Sequence, residues 1–308
     1  MSTVSLARRQ DVLIEAGTPL AELCDRLTEV RSGVIGCIAY GSCLRSGEIF
    51  AGLFDVYLVV TSYSKAHRSR LAAGFNWLLP PNVYYAQVPL AGGLARVKYS
   101  ILSLKDLERG CAKRFESYVW GRFAQPVGLF GFAGSDHAAR VRHALAHAGQ
   151  RLIRESVALN RGEFTSRELI TAGLSMSYAT ELRAEKPGRV MEIYDFAEAH
   201  YRALCGACLQ DMAEVDQIAH DRWCSKLGAV SRLFGRGKWL LRLALGKLAS
   251  IVRLLKAYFT FRDGIDYLVW KLARHSGQTI EVPKHVRRFP LIFGWAFFLR
   301  LYRQGVFK

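Results

Sequence analysis

Apolar residues spaced three and four apart among charges predict a helix over residues 5–30, with Leu6, Val12, Leu13, Leu20, Leu23 and Leu27 as its apolar positions. The pattern then changes. VIGCIAY (34–40) is a short continuous apolar run, which reads as a strand ending at Gly41-Ser42, and FDVYLVVT (54–61) reads as a second strand. NVYYAQV (82–88) and LARVKYSIL (94–102) form a predicted hairpin around Gly92-Gly93. Between the second strand and the hairpin, residues 65–79 form a predicted helix that Pro80-Pro81 ends. From 136 to 230 the period is helical throughout. Thr165 and Glu168 have capping-box spacing for a helix near Ser166, and Lys186-Pro187-Gly188 is a turn before a single predicted helix over 190–209.

These changes divide the 308 residues into a mixed α/β unit (1–132), a helical unit (133–231) and a C-terminal region (232–308). Charge distinguishes the third. The whole chain carries 43 Lys+Arg against 26 Asp+Glu, a net of +17, and Arg232–Lys308 alone holds 16 basic residues and three acids. So concentrated a tail suits a polyanion, either nucleic acid or an anionic membrane surface, and composition does not choose between them. Seven cysteines in a chain of this length do not make a small-domain disulfide framework, so a reducing compartment is expected. The N-terminus lacks the apolar core of a secretory signal, and no apolar run approaches the ~18 residues of a spanning helix.

On a helical wheel Lys238, Arg242, Arg253 and Lys256 share one narrow sector, with Leu240, Leu241, Leu243, Leu248, Ile251, Leu254 and Leu255 largely outside it. That arrangement leads to the expectation that the four cations face anionic lipid. PLIFGWAFFL (290–299), between arginines, is a second interfacial candidate.

One stretch has the shape of a phosphate site. In AYGSCLRSGEIFAGLFDVYLV a strand runs into Gly41-Ser42, and Asp55 follows Ser42 by 13 positions at the start of the next strand. A Gly-Ser turn entering a helix offers backbone N–H groups and a hydroxyl to a triphosphate, and a neighbouring carboxylate can hold magnesium against it. Taken alone, the pattern is better read as an ordinary strand–turn–strand connection with a surface Asp. Tyr57 stands where nucleotidyltransferases usually place a second acid. Elsewhere Cys205, Cys208, His220 and Cys224 have spacings that suit one zinc ion, although Cys is also an ordinary buried helix residue. His67, among Lys65, Arg68 and Arg70, reads as a solvated face residue.

The order of several such blocks resembles the mitochondrial translocator assembly and maintenance family, the soluble-type CTP:phosphatidate cytidylyltransferases, with this chain as a bacterial member. The blocks are IAYGSCL with the Asp that opens FDVYLVV; His67 and Asn76; NVYYAQVPLAGGLARVKYSILSLKDL; SYVWGRFAQPVGLF, with Tyr118, Gly121, Arg122, Pro126 and Val127; and LITAGLSMSYATELR. They span roughly 34–205, and the tail beyond 231 matches poorly. The resemblance implies a polymerase-beta-like α/β nucleotidyltransferase core, a helical, winged-helix-like second domain and a basic C-terminal helical region. It implies CMP transfer from CTP to phosphatidate, giving CDP-diacylglycerol and pyrophosphate. Tyr40, Gly41 and Ser42 would bind the nucleotide, Asp55 would hold magnesium, and Lys98 and Arg122 would balance developing charge or hold the lipid phosphate. Both cations also have plainer readings: Lys98 could face solvent, and Arg122 could pair with an acid at a domain surface. The expected partners are CTP, phosphatidate and an anionic membrane surface, at the cytoplasmic face of the inner (plasma) membrane. The rival readings are nucleotide transfer to another acceptor and a non-catalytic nucleic-acid-binding protein; no RNP or zinc-finger pattern supports the latter.

Overall fold

The computed structural model describes residues 11–13, 18–50, 52–132, 135–182, 188–260, 269, 280–288 and 290–303. The first unit is a six-stranded mixed sheet in the order β1-β6-β2-β3-β5-β4. Its strands are β1 (Asp11–Leu13), β2 (Val34–Tyr40), β3 (Leu53–Val60), β4 (Asn82–Leu90), β5 (Gly93–Ser103) and β6 (Val127–Phe130). The central pair β3–β5 is parallel, β2–β3 and β4–β5 are antiparallel, and β1 pairs with β6 in parallel.

β3 is apolar on both faces because both are covered. Phe54, Val56, Leu58 and Val60 point to one side, where Leu23, Cys24 and Leu27 of helix α1 (Pro19–Glu29) close the core. Tyr57 and Val59 point to the other, which packs against the helical unit. Asp55 lies on this second face by the same alternation.

The N-terminal helix is shorter than the apolar spacing suggests. Thr18 accepts the N–H of Ala21 as a cap and Pro19 follows it, so α1 starts there, while Asp11–Leu13 is strand β1. The helix expected over 65–79 is two, α3 (Tyr63–Ala66) and α4 (Arg70–Leu78), parted where His67 takes an extended conformation. Between β2 and β3 lies the single turn α2 (Ser42–Ser46). After β5 come α5 (Leu104–Ala112) and α6 (Trp120–Phe123).

The second unit contains α7 (Ser135–Ser156), α8 (Ser166–Ala179), α9 (Arg189–Phe196) and α10 (Glu198–Leu209). The capping box of α8 forms as expected, with Thr165 and Glu168 bonded reciprocally. The helix expected over 190–209 breaks at Ala197, between α9 and α10. Of the turn expected before it, only Gly188 lies within the described residues. A small antiparallel sheet, β7 (Glu163–Thr165), β9 (Arg222–Ser225) and β8 (Val215–Ala219), interrupts the helical pattern. Its strands of three to five residues are too short to show a period of two.

The C-terminal region is the 32-residue helix α11 (Ala229–Thr260), followed by α12 (Lys284–Arg288) and α13 (Pro290–Arg303). α11 bridges the two units. Trp239 is fully buried and donates to the Glu155 carbonyl, and its ring meets Trp120 edge-on. Gly246 lets the helix approach closely: a Cβ there would sit 2.7 Å from the Cβ of Thr180 and 2.8 Å from its carbonyl oxygen.

The expected orientation of α11 is reversed. The cations predicted to face lipid face the protein instead. Arg242 is 1% exposed and binds Glu155 and the Phe115 carbonyl. Arg253 forks onto both carboxylate oxygens of Glu116, and Lys256 donates to the carbonyls of Leu79 and Pro81. Lys238 lies partly open, over the Phe234 ring. The outward face is the apolar one, carrying Val230, Leu233, Phe234, Leu240, Leu241, Leu248, Ile251, Leu254 and Leu255.

Candidate active site

Register brings the site together. Tyr40 pairs with Asp55 across β2–β3, Asp55 with Lys98 across β3–β5, and Lys98 with Tyr85 across β5–β4. The four residues therefore form one row on the sheet face that looks toward the second unit. At the open end of β2 the chain turns at Gly41 with φ +94°, a conformation that strains any side chain, and enters α2 with Ser42 exposed. A Cβ on Gly41 would lie 3.5 Å from Asp55 Oδ2, so the turn and the carboxylate face each other directly.

Lys98 Nζ lies 3.4 Å from Asp55 Oδ1, yet that oxygen is buried and takes no hydrogen bond. A buried carboxylate oxygen left in this state has capacity for a further cation. One carboxylate beside a phosphate-binding turn is the donor set that magnesium uses when substrate phosphates and waters complete its shell, so these residues fit that ion. Tyr40 is buried, and burial together with the Asp55 charge pushes its phenol well above the ordinary range, keeping it neutral.

Arg122 is reached from α6. Its Nη1 donates to the Tyr57 hydroxyl at 2.9 Å and its Nη2 to Glu181 Oε1 at 2.5 Å. Burial would lower its pKa, but the Glu181 carboxylate and the hydroxyls of Tyr118, Tyr57 and Tyr40 outweigh that, so the guanidinium stays charged. Tyr57 thus occupies the place of a second acid as an arginine partner, and the guanidinium is committed on two nitrogens. Tyr118 lies between two guanidiniums, Arg122 at 4.3 Å and Arg253 of α11 at 3.8 Å from its ring centroid. Glu181 and Arg253 join the site from 59 and 131 positions away from Arg122 in the chain, and no local spacing announces either.

His67 is buried rather than solvated. Asn76 Oδ1 already accepts the Asn82 N–H, so His67 Nε2 donates to that oxygen and Nδ1 accepts from the Tyr84 hydroxyl. Burial lowers its pKa, and the neutral ring clips α4 to β4. Cys205 and Cys208 are buried on α10, while His220 is exposed at the β8–β9 turn. Among the described residues, no three His, Cys, Asp or Glu side chains group so as to hold a metal ion.

The Asp55 carboxylate, the Lys98 ammonium and the Gly41 turn thus meet on one sheet face. The chain is a nucleotidyltransferase using CTP. Residues 56–232 match the family model described as phosphatidate cytidylyltransferase, mitochondrial, and the chain belongs to that family. It transfers CMP from CTP to phosphatidate, giving CDP-diacylglycerol and pyrophosphate for phospholipid synthesis. A search of curated proteins finds no match. Among the described residues no helix is long and apolar enough to cross a membrane.

Ser42→Ala is expected to raise the CTP concentration needed for half-maximal rate several-fold with little change in kcat, because backbone N–H groups at the turn remain. Initial rates over a CTP series check this. A drop in kcat at unchanged KM would mean that the hydroxyl acts on the reacting phosphate instead.

Proposed function

We propose that the reaction runs on the row Tyr40–Asp55–Lys98, with the buried Asp55 Oδ1, which takes no hydrogen bond, as the observation that carries the assignment. The Gly41-Ser42 turn and Tyr40 receive the CTP phosphates, and Asp55 would hold magnesium, which would supply charge neutralisation at the α-phosphate. Lys98 balances charge on the phosphates. Arg122, fixed by Tyr57 and Glu181, presents a positive field to the phosphatidate monoester as it attacks in line. The polymerase-beta-like core and winged-helix-like second unit remain our reading of the fold, supported by the mixed sheet with its glycine turn and by the small sheet among helices. The test is to incubate the protein with magnesium, each of the four NTPs and phosphatidate vesicles, and to detect the liponucleotide. Product with CTP and not with the other nucleotides is expected.

The enzyme, in this reading, works as a peripheral protein on an anionic bilayer, at the cytoplasmic face of an inner membrane. The outward apolar face of α11 supports the membrane contact, with Phe293, Trp295 and Leu299 of α13 also exposed. Fully burying one Leu side chain is worth about 1.5–3 kcal/mol, so several partly inserted leucines suffice for reversible binding. Lys247, exposed on α11, adds about 1 kcal/mol near anionic lipid. Replacing Leu248, Ile251 and Leu255 by serine is expected to release the protein from phosphatidate-containing vesicles in sedimentation while leaving its unfolding midpoint unchanged. Undiminished sedimentation would remove α11 from the membrane contact.

A further inference from the structure

The catalytic sheet carries a second apolar surface that neither α11 nor the site accounts for. On α4, Leu71, Trp77 and Leu78 are 75%, 72% and 71% exposed. Such exposure is unusual for a tryptophan and two leucines on one nine-residue helix. The helix is nonetheless firmly held. Ser69 caps it, Asn76 is fully buried and donates to the Ile101 carbonyl, and Asn82 donates to the Ala72 carbonyl. Its apolar side chains are thus presented outward by a rigid element.

Charge indicates what they meet. Between Asp55 and Asp106 the chain holds no acidic residue, and Lys65, Arg68 and Arg70 are exposed at or just before the start of α4. Position indicates the same. Lys256 of α11 donates to Leu79 and Pro81, directly after α4, and the neighbouring Leu254 and Leu255 are exposed. The outward leucines of α11 therefore continue toward Trp77 and Leu78. The acceptor substrate is a bilayer lipid.

We propose that α4 is a second bilayer-contacting element, inserting Leu71, Trp77 and Leu78 into the interface of an anionic membrane while Lys65, Arg68 and Arg70 meet the headgroups. Indole suits that depth, and the two helices together set the orientation of the catalytic sheet against the lipid. The inference rests on the reading that this enzyme works at a bilayer surface, but not on α11 being the anchor.

The test uses the full chain and vesicles of phosphatidylcholine with phosphatidate, with and without brominated acyl chains. Wild-type tryptophan fluorescence is expected to be quenched more than that of Trp77→Phe, the difference reporting Trp77 alone. Leu71→Ser combined with Leu78→Ser is expected to weaken vesicle binding about tenfold, which corresponds to ~1.4 kcal/mol. The same variant should keep wild-type turnover on a water-soluble short-chain phosphatidate and keep its unfolding midpoint. Equal quenching of wild type and Trp77→Phe, or unchanged binding by the double variant, overturns the proposal. So does a concentration-dependent dimer in light scattering that the double variant abolishes, because the face would then be covered by a second copy. Serine variants of α11 separate the two readings. If they alone detach, α4 is wrong and α11 right; if only the α4 variant detaches, the reverse holds.

Discussion

An Asp55→Ala protein is expected to fold and bind vesicles but to form CDP-diacylglycerol about a thousandfold more slowly than wild type. The substitution removes the one carboxylate in the row that faces the Gly41 turn, and with it the group proposed to hold the metal. Loss of a metal's charge stabilisation at a reacting phosphate is worth several kcal/mol, and about 4 kcal/mol is three orders of magnitude in rate. The fold tolerates the change because Asp55 Oδ1 takes no hydrogen bond and Lys98, its ion-pair partner at 3.4 Å, is itself partly exposed. Single-turnover rates with saturating CTP check the size of the effect, and circular dichroism checks the fold. Wild-type turnover by the folded variant would place the metal elsewhere. Asp55→Asn separates charge from shape: it should be nearly as slow, since an amide fits the space but does not neutralise Lys98 or bind the cation.

Arg242→Ala is expected to destabilise the protein by about 3–5 kcal/mol, the usual cost of breaking a buried ion pair by removing one partner. Its guanidinium binds Glu155 at 2.7 Å and the Phe115 carbonyl at 2.9 Å, and lies over the rings of Phe115, Trp120 and Trp239. Alanine leaves Glu155 without that charge and opens a gap beside two buried tryptophans. Urea unfolding followed by tryptophan fluorescence measures the loss. A change under 1 kcal/mol would mean that water replaces the guanidinium without penalty. The same contacts make truncation near Ser231 a poor probe of membrane binding, because it strips Trp239 from Trp120 and damages the core along with the lipid-facing surface.

Much of the candidate site is legible along the chain because its parts are local. A strand running into Gly41-Ser42 and an acid opening the next apolar run can be read from spacing, and β2, β3 and the β4–β5 hairpin lie within two residues of where the pattern puts them. The α8 capping box is equally local, two residues three positions apart satisfying each other's backbone N–H. Where a breaker was visible but outvoted by periodicity, as at Thr18-Pro19, the pattern extended the helix too far. His67 reads as solvated, and is buried, for a related reason. Its sequence neighbours are charged and exposed, but its partners Asn76 and Tyr84 are 9 and 17 residues away, and only the packing of α4 on β4 brings them together.

For α11, the sequence by itself determined that a long helix has a basic sector and an apolar sector. Periodicity states which residues share a face, never which face turns inward. Tertiary structure decided that, because the groups able to satisfy the cations lie far off in the chain. Glu116 and Glu155 supply carboxylates, and Phe115, Leu79 and Pro81 supply backbone carbonyls, all more than 80 residues from the side chains they hold. With those partners assembled on one surface, the basic sector is the one that can be buried, and the leucines are left facing outward.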